Sequence, residues 1–144
     1  MSTYTLTITR KQAEAISRAC EIVSRLGMGQ FKDALEELPL REYLPPGWHD
    51  TMMDVARLLA PHLKSTSYGI RHADVSESSR ILWDTYQVMR RQMAWEDAVA
   101  KGIVPSMDAP RRWPKMMSVW YDDPAHTSTE PLPTIQRIAA KEGT

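Results

Sequence analysis

Glu77-Ser78-Ser79-Arg80-Ile81-Leu82-Trp83-Asp84-Thr85-Tyr86-Gln87-Val88-Met89-Arg90-Arg91-Gln92-Met93-Ala94-Trp95-Glu96-Asp97-Ala98-Val99-Ala100-Lys101 is the stretch on which the fold turns. Ile81, Leu82, Val88, Met89, Met93 and Trp95 recur at helical spacing and make a broad apolar face, with Arg80, Asp84, Gln87 and Arg91 opposite. Ser76 stands where a helix N-cap belongs, because its hydroxyl can accept from an unpaired amide of the first turn. Gly102 is placed to end the helix, since glycine adopts the left-handed conformation that closes a helical terminus. The spacing therefore predicts one long amphipathic helix over 77–101.

Towards the N-terminus the same logic yields a second long helix. Thr9-Arg10-Lys11-Gln12 fits a capping box, in which the threonine hydroxyl and the glutamine amide satisfy each other's backbone donors. Ala13, Ile16, Cys20 and Val23 follow as an apolar stripe, which Ala19, Ile22 and Leu26 widen. Two glycines in Gly27-Met28-Gly29 each cost about 1 kcal/mol relative to alanine in a helix, so they mark its end or a close packing point. Before this helix, Tyr4, Leu6 and Ile8 alternate with polar residues over 3–8, the period of a short half-buried edge strand.

Phe31, Leu35 and Leu38 resume helical spacing as far as Pro39, and the proline-containing stretch 39–47 reads as a loop. Met52, Val55, Leu59 and Leu63 describe a further helix whose last turn Pro61 frays. A polar, turn-rich segment over 64–69 leads back towards the long helix. After Gly102 the composition changes, because six of the ten prolines, at 105, 110, 114, 124, 131 and 133, lie in this last third. No long helix is expected there, although Met117, Val119 and Tyr121 alternate as a second strand would, over about 116–121, and could pair with the first. The reading is a mainly α fold: a single domain over 1–144, with a three-to-four-helix bundle and N-terminal strand in residues 3–102. Residues 103–144 form a proline-rich arm, packed on the bundle or exchanged between subunits.

Ser24-Arg25-Leu26-Gly27-Met28-Gly29-Gln30-Phe31, Ser67-Tyr68-Gly69-Ile70, Trp83-Asp84-Thr85-Tyr86-Gln87-Val88-Met89-Arg90-Arg91 and Ala94-Trp95 resemble small proteins encoded by tailed bacteriophages and prophages. The resemblance covers the helical two thirds of the chain and stops at Met107. It implies a viral origin and a mainly helical fold. That family carries no assigned activity, so the resemblance supplies no catalytic residues.

Totals and motifs exclude several classes. The chain has 18 basic and 18 acidic residues and no net charge, unlike a strongly basic nucleic-acid module. One cysteine, Cys20, cannot make an internal disulfide or a cysteine-rich zinc site, and on the apolar face of its helix it reads as a small hydrophobe. The N-terminus lacks the basic start and apolar run of a signal peptide, and the most apolar stretch, 55–60, is far short of a membrane span. These features predict a cytoplasmic protein, in the host cell if it is viral. Gly27-Met28-Gly29 follows a helix and lacks the third glycine of a dinucleotide loop. Ser65, Ser67 and Ser128 stand in no nucleophile motif.

Three constellations remain. Trp113, Met116, Met117, Trp120 and Tyr121 supply more adaptable apolar surface than a bundle of this size can bury, and are expected to meet another chain. Between Arg80 and Lys115 seven basic residues face four acidic ones, and Arg90, Arg91, Arg111, Arg112 and Lys115 beside Trp113 form an alternative patch for nucleic acid or a nucleotide. His49-Asp50 and Asp122-Asp123-Pro124-Ala125-His126 offer imidazole and carboxylate ligands for a metal-assisted hydrolase, yet a helix-start aspartate and an Asp-Pro turn explain them without a ligand. The leading expectation is a non-enzymatic phage accessory protein that binds a host protein, to inhibit defence or redirect host machinery. It is expected to be a homodimer without metal, cofactor or membrane contact.

Overall fold

A computed structural model describes residues 4–38, 41–62, 68–106, 124 and 126–138. They are mainly helical. Four α-helices run in the order α1 Arg10–Gly27, α2 Phe31–Glu36, α3 Trp48–Leu59 and α4 Glu77–Ala100, with a 3₁₀ turn at Arg41–Tyr43 before α3. Residues 4–9 carry no regular secondary structure, and the strand expected over about 116–121, its intended partner, lies outside the described residues.

Both long helices start and stop where local chemistry dictates. Gln12 donates its amide N–H to the Thr9 hydroxyl at 3.2 Å, and Thr9 donates its own to Gln12 Oε1 at 2.8 Å, completing the capping box. At the other end Gly29 takes φ of 75°, its N–H reaches the Leu26 carbonyl, and the Gln30 N–H reaches that of Arg25. This pair of bonds is a Schellman closure, and the left-handed φ is open to glycine at little cost. α4 is built alike. The Ser79 amide donates to the Ser76 hydroxyl, and Gly102 at φ 67° closes the C-terminus through Gly102 N–H to Val99 and Ile103 N–H to Ala98. Ile103 then packs with Val99 on the buried cluster of Trp95, Ala98 and Val104, the hydrophobic contact that accompanies such a closure.

α1 and α4 form the principal packed pair. They are antiparallel. Arg10 at the start of α1 bonds Glu96 and Asp97 at the end of α4, at 3.2 and 3.0 Å, while Gly27 at the end of α1 lies against Ser79 at the start of α4. The α1 surface that is buried differs from the stripe read in the sequence. Ala13, Ser17, Cys20, Glu21 and Ser24 are buried, whereas Val23 is 49% exposed and Ala19 is also exposed. The buried row is made of small side chains, and small side chains let two helix backbones approach closely. Glu21, the one large polar group in that row, is neutralised within its own helix by Arg25, whose Nε and Nη2 lie 3.0 and 2.7 Å from Oε1.

α2 lies on α1, and α3 in turn packs on α2. α3 ends at Leu59, just before Pro61, as a proline two residues on requires. Tyr68, whose carbonyl accepts from Gln30 Nε2 at 3.1 Å and whose N–H reaches the Met28 carbonyl, is tied to the α1–α2 turn, and Val75 is buried ahead of α4.

A Cβ on Gly27 would run into both the hydroxyl and the Cβ of Ser79. Gly27→Ala should therefore destabilise the protein by about 1–3 kcal/mol through overpacking, although the same change in an open helix stabilises. Urea denaturation checks the sign, and adding Ser79→Gly should recover most of the loss.

Candidate functional site

The sequence places Asp84 on the solvent side of α4, and the structure corrects this. Asp84 is 2% exposed, covered by residues 126–130 of the C-terminal arm. Its carboxylate accepts four donors. Thr127 gives its amide N–H, at 3.0 and 3.1 Å from the two oxygens, and its hydroxyl at 2.6 Å; Ser128 gives its amide at 2.8 Å and its hydroxyl at 2.7 Å. A carboxylate is acceptor-only with about four lone-pair directions, so this set saturates it. Two turns earlier on the same face, Glu77 Oε1 accepts both the amide and the hydroxyl of Thr129.

Neighbouring groups brace this strap. Arg71 donates to the His126 carbonyl at 3.3 Å, and the His126 ring Nε2 lies 2.6 Å from the Glu130 carbonyl, closing the strap on itself. Arg80, between the two carboxylates, donates to the His72 carbonyl at 2.9 Å. Burial on its own pushes the Asp84 carboxyl up, but the four hydrogen bonds from Thr127 and Ser128 together outweigh it and hold the group below its ordinary value. The Thr129 amide, then its hydroxyl, lower Glu77 in the same way.

On another side of α4, a cleft of about 380 Å³ opens between it and α1. Its wall includes Ser17, Tyr86, Met93 and Ala98, with charges of both signs around them: Arg18, Arg90 and Lys101 against Glu14, Glu21, Glu37 and Asp97. Burial, with Glu21 nearby, pushes the Tyr86 phenol up, and the Arg90 guanidinium sits 5.6 Å over the Tyr86 ring. Burial also raises the Cys20 thiol, which leaves little thiolate for chemistry.

Of the patch expected to hold nucleic acid, Arg90 and Arg91 lie on α4, where successive residues point about 100° apart; Arg90 lines the cleft. Arg111, Arg112 and Lys115 lie outside the described residues, as do Trp113, Met116, Met117, Trp120 and Tyr121. Of the metal candidates, His49 faces Glu36 at 3.7 Å and His126 is turned to Glu130, while Asp122 and Asp123 are outside the described residues. Among the described residues no group of three or more His, Cys, Asp or Glu side chains could hold a metal ion, and no helix is long and apolar enough to cross a membrane. Comparison with protein-family models, curated proteins and solved structures finds no match.

Sequence reasoning missed the strap. The only local signals are three consecutive hydroxyl residues, Thr127-Ser128-Thr129, and two carboxylates seven apart on a helix, and nothing in either pattern pairs it with the other.

Because the folded Asp84 carboxyl lies below its unfolded value, its contribution is complete above roughly pH 4 and is lost as pH falls through the folded value. Asp84→Asn should cost about 1–3 kcal/mol at pH 7 by urea denaturation, since the amide cannot accept four donors. The variant should also lose less stability than the native chain between pH 5 and pH 2.

Proposed function

We propose that this chain is a small non-enzymatic protein that works by binding another protein. The observation that carries the reading is the apolar surface left at the end of α3, where Leu58 and Leu59 are 79% and 68% exposed; Tyr43, in the 3₁₀ turn before α3, is exposed as well. Isolated exposed apolar residues are ordinary, but adjacent large ones on a helix that packs on one short neighbour offer a ready contact surface. The tryptophan and methionine residues of 113–121 extend the same argument to the arm. The resemblance to tailed-phage proteins implies a viral origin, and on that footing the proposed partner is a bacterial host protein, bound to inhibit defence or redirect host machinery.

Affinity capture of the tagged chain from a bacterial lysate tests the reading. One host protein should co-purify stoichiometrically, and Leu58→Asp with Leu59→Asp, or Trp113→Ala with Trp120→Ala, should reduce its recovery at least ten-fold while circular dichroism stays helical. Recovery of the chain alone overturns the proposal. Recovery of nucleic acid or a nucleotide, lost steeply with added salt, transfers it to the arginine patch of Arg90, Arg91, Arg111, Arg112 and Lys115.

A further inference from the structure

We infer that the α4 row Glu77, Arg80 and Asp84 is a recognition site for an extended segment rich in threonine and serine, and that its occupant exchanges between residues 127–129 of the same chain and those of a second copy. The inference stands apart from the host-protein reading.

The contacts have the character of peptide recognition. Thr127 and Ser128 each present their backbone N–H and their β-hydroxyl to Asp84, and Thr129 presents both of its own to Glu77. Only serine and threonine carry a hydroxyl on the β-carbon, where it can lie beside the amide of the same residue and share its acceptor. Alanine or valine would leave Asp84 with half its donors while it is 2% exposed, and a buried carboxylate deprived of donors is costly. The row is therefore selective for sequence and not merely for an extended backbone.

The occupant is held by polar contacts that another copy can reproduce atom for atom. Its shape is partly its own, since the His126 ring closes on the Glu130 carbonyl within the strap. Residues 107–123 connect the last described residue after α4 to the strap, and a stretch of that length can extend to roughly 60 Å, far enough to reach the same row on an adjacent molecule. An element that fits its own site fits the identical site of its copy, which is the general route to exchange of identical segments.

Two full-length variants separate site from occupant. In the first, Thr127→Val, Ser128→Ala and Thr129→Val disarm the strap and leave the row intact; in the second, Asp84→Asn disarms the row and leaves the strap intact. A fluorescent peptide of residues 124–138 should bind the strap variant at least ten-fold more tightly than the native chain, whose row is already filled. It should not bind the strap variant that also carries Asp84→Asn, nor should a peptide bearing the Val-Ala-Val changes bind. Mixing the two variants should give a heterodimer by sedimentation velocity, with the sound strap of one on the sound row of the other. Circular dichroism checks folding, and Ser128→Ala alone, the milder change, should give intermediate peptide affinity. Absence of peptide binding to the folded strap variant, or binding that ignores Asp84→Asn, overturns the recognition site. Peptide binding with no heterodimer overturns exchange with a second copy.

Discussion

Where α1 and α4 cross, the two backbones come so close that Gly27 has no room for a side chain against Ser79. That approach is available because the buried α1 row is small apart from Glu21: Ala13, Ser17, Cys20 and Ser24. Small side chains bury less apolar area each, but they allow the two helices to come into close contact, and dispersion grows with the number of atoms in contact. The Ser79 hydroxyl at the crossing also meets the Ser76 hydroxyl at 2.9 Å, so the N-cap of α4 and the packing contact are one cluster. The opposite end of the pair is fastened by Arg10 against Glu14, Glu96 and Asp97. Single exposed ion pairs contribute little, and this one matters chiefly for fixing the antiparallel register.

With one face of α4 given to α1, another is left for the arm. Asp84 is the hinge of that arrangement, because a carboxylate with 2% exposure is tolerable only when its acceptors are filled, and Thr127 and Ser128 fill them from over forty residues away. The strap in turn brings little apolar area of its own. Its attachment thus depends on charge-assisted hydrogen bonds to an ionised group, which are strong yet switchable by protonation or by competition. A surface of this kind suits exchange better than permanent burial does.

The charged cleft and the exposed α3 side chains divide the remaining surface between them. In the cleft, Arg18, Arg90 and Lys101 stand against Glu14, Glu21, Glu37 and Asp97, and Glu14 and Glu21 pair with arginines of α1, so it offers no single-sign field to a polyanion. Leu58 and Leu59, by contrast, lie at the end of α3, away from the α1–α4 pair, and it is there that the described part of the chain most resembles a contact surface.

The helix boundaries were legible because the forces that set them act within a few residues. The capping box of Thr9 and Gln12, the Ser76 cap, and the glycine closures at Gly29 and Gly102 need only local geometry, and Gly27 was readable as a packing point from its cost in a helix. Apolar periodicity gave the existence of α1, α2, α3 and α4 but not the true buried face of α1, since the row that packs is set by how closely α4 can approach and not by hydrophobicity alone. The strap was illegible for a different reason. Asp84 has the same local sequence signature whether it faces water or a strap, and only the folded chain, by bringing Thr127 and Ser128 to it, decided that this carboxylate is buried. What the sequence determined alone is thus what near neighbours set, and the tertiary structure decided the contacts whose partners lie far apart along the chain, among them Asp84 with Thr127 and Ser128.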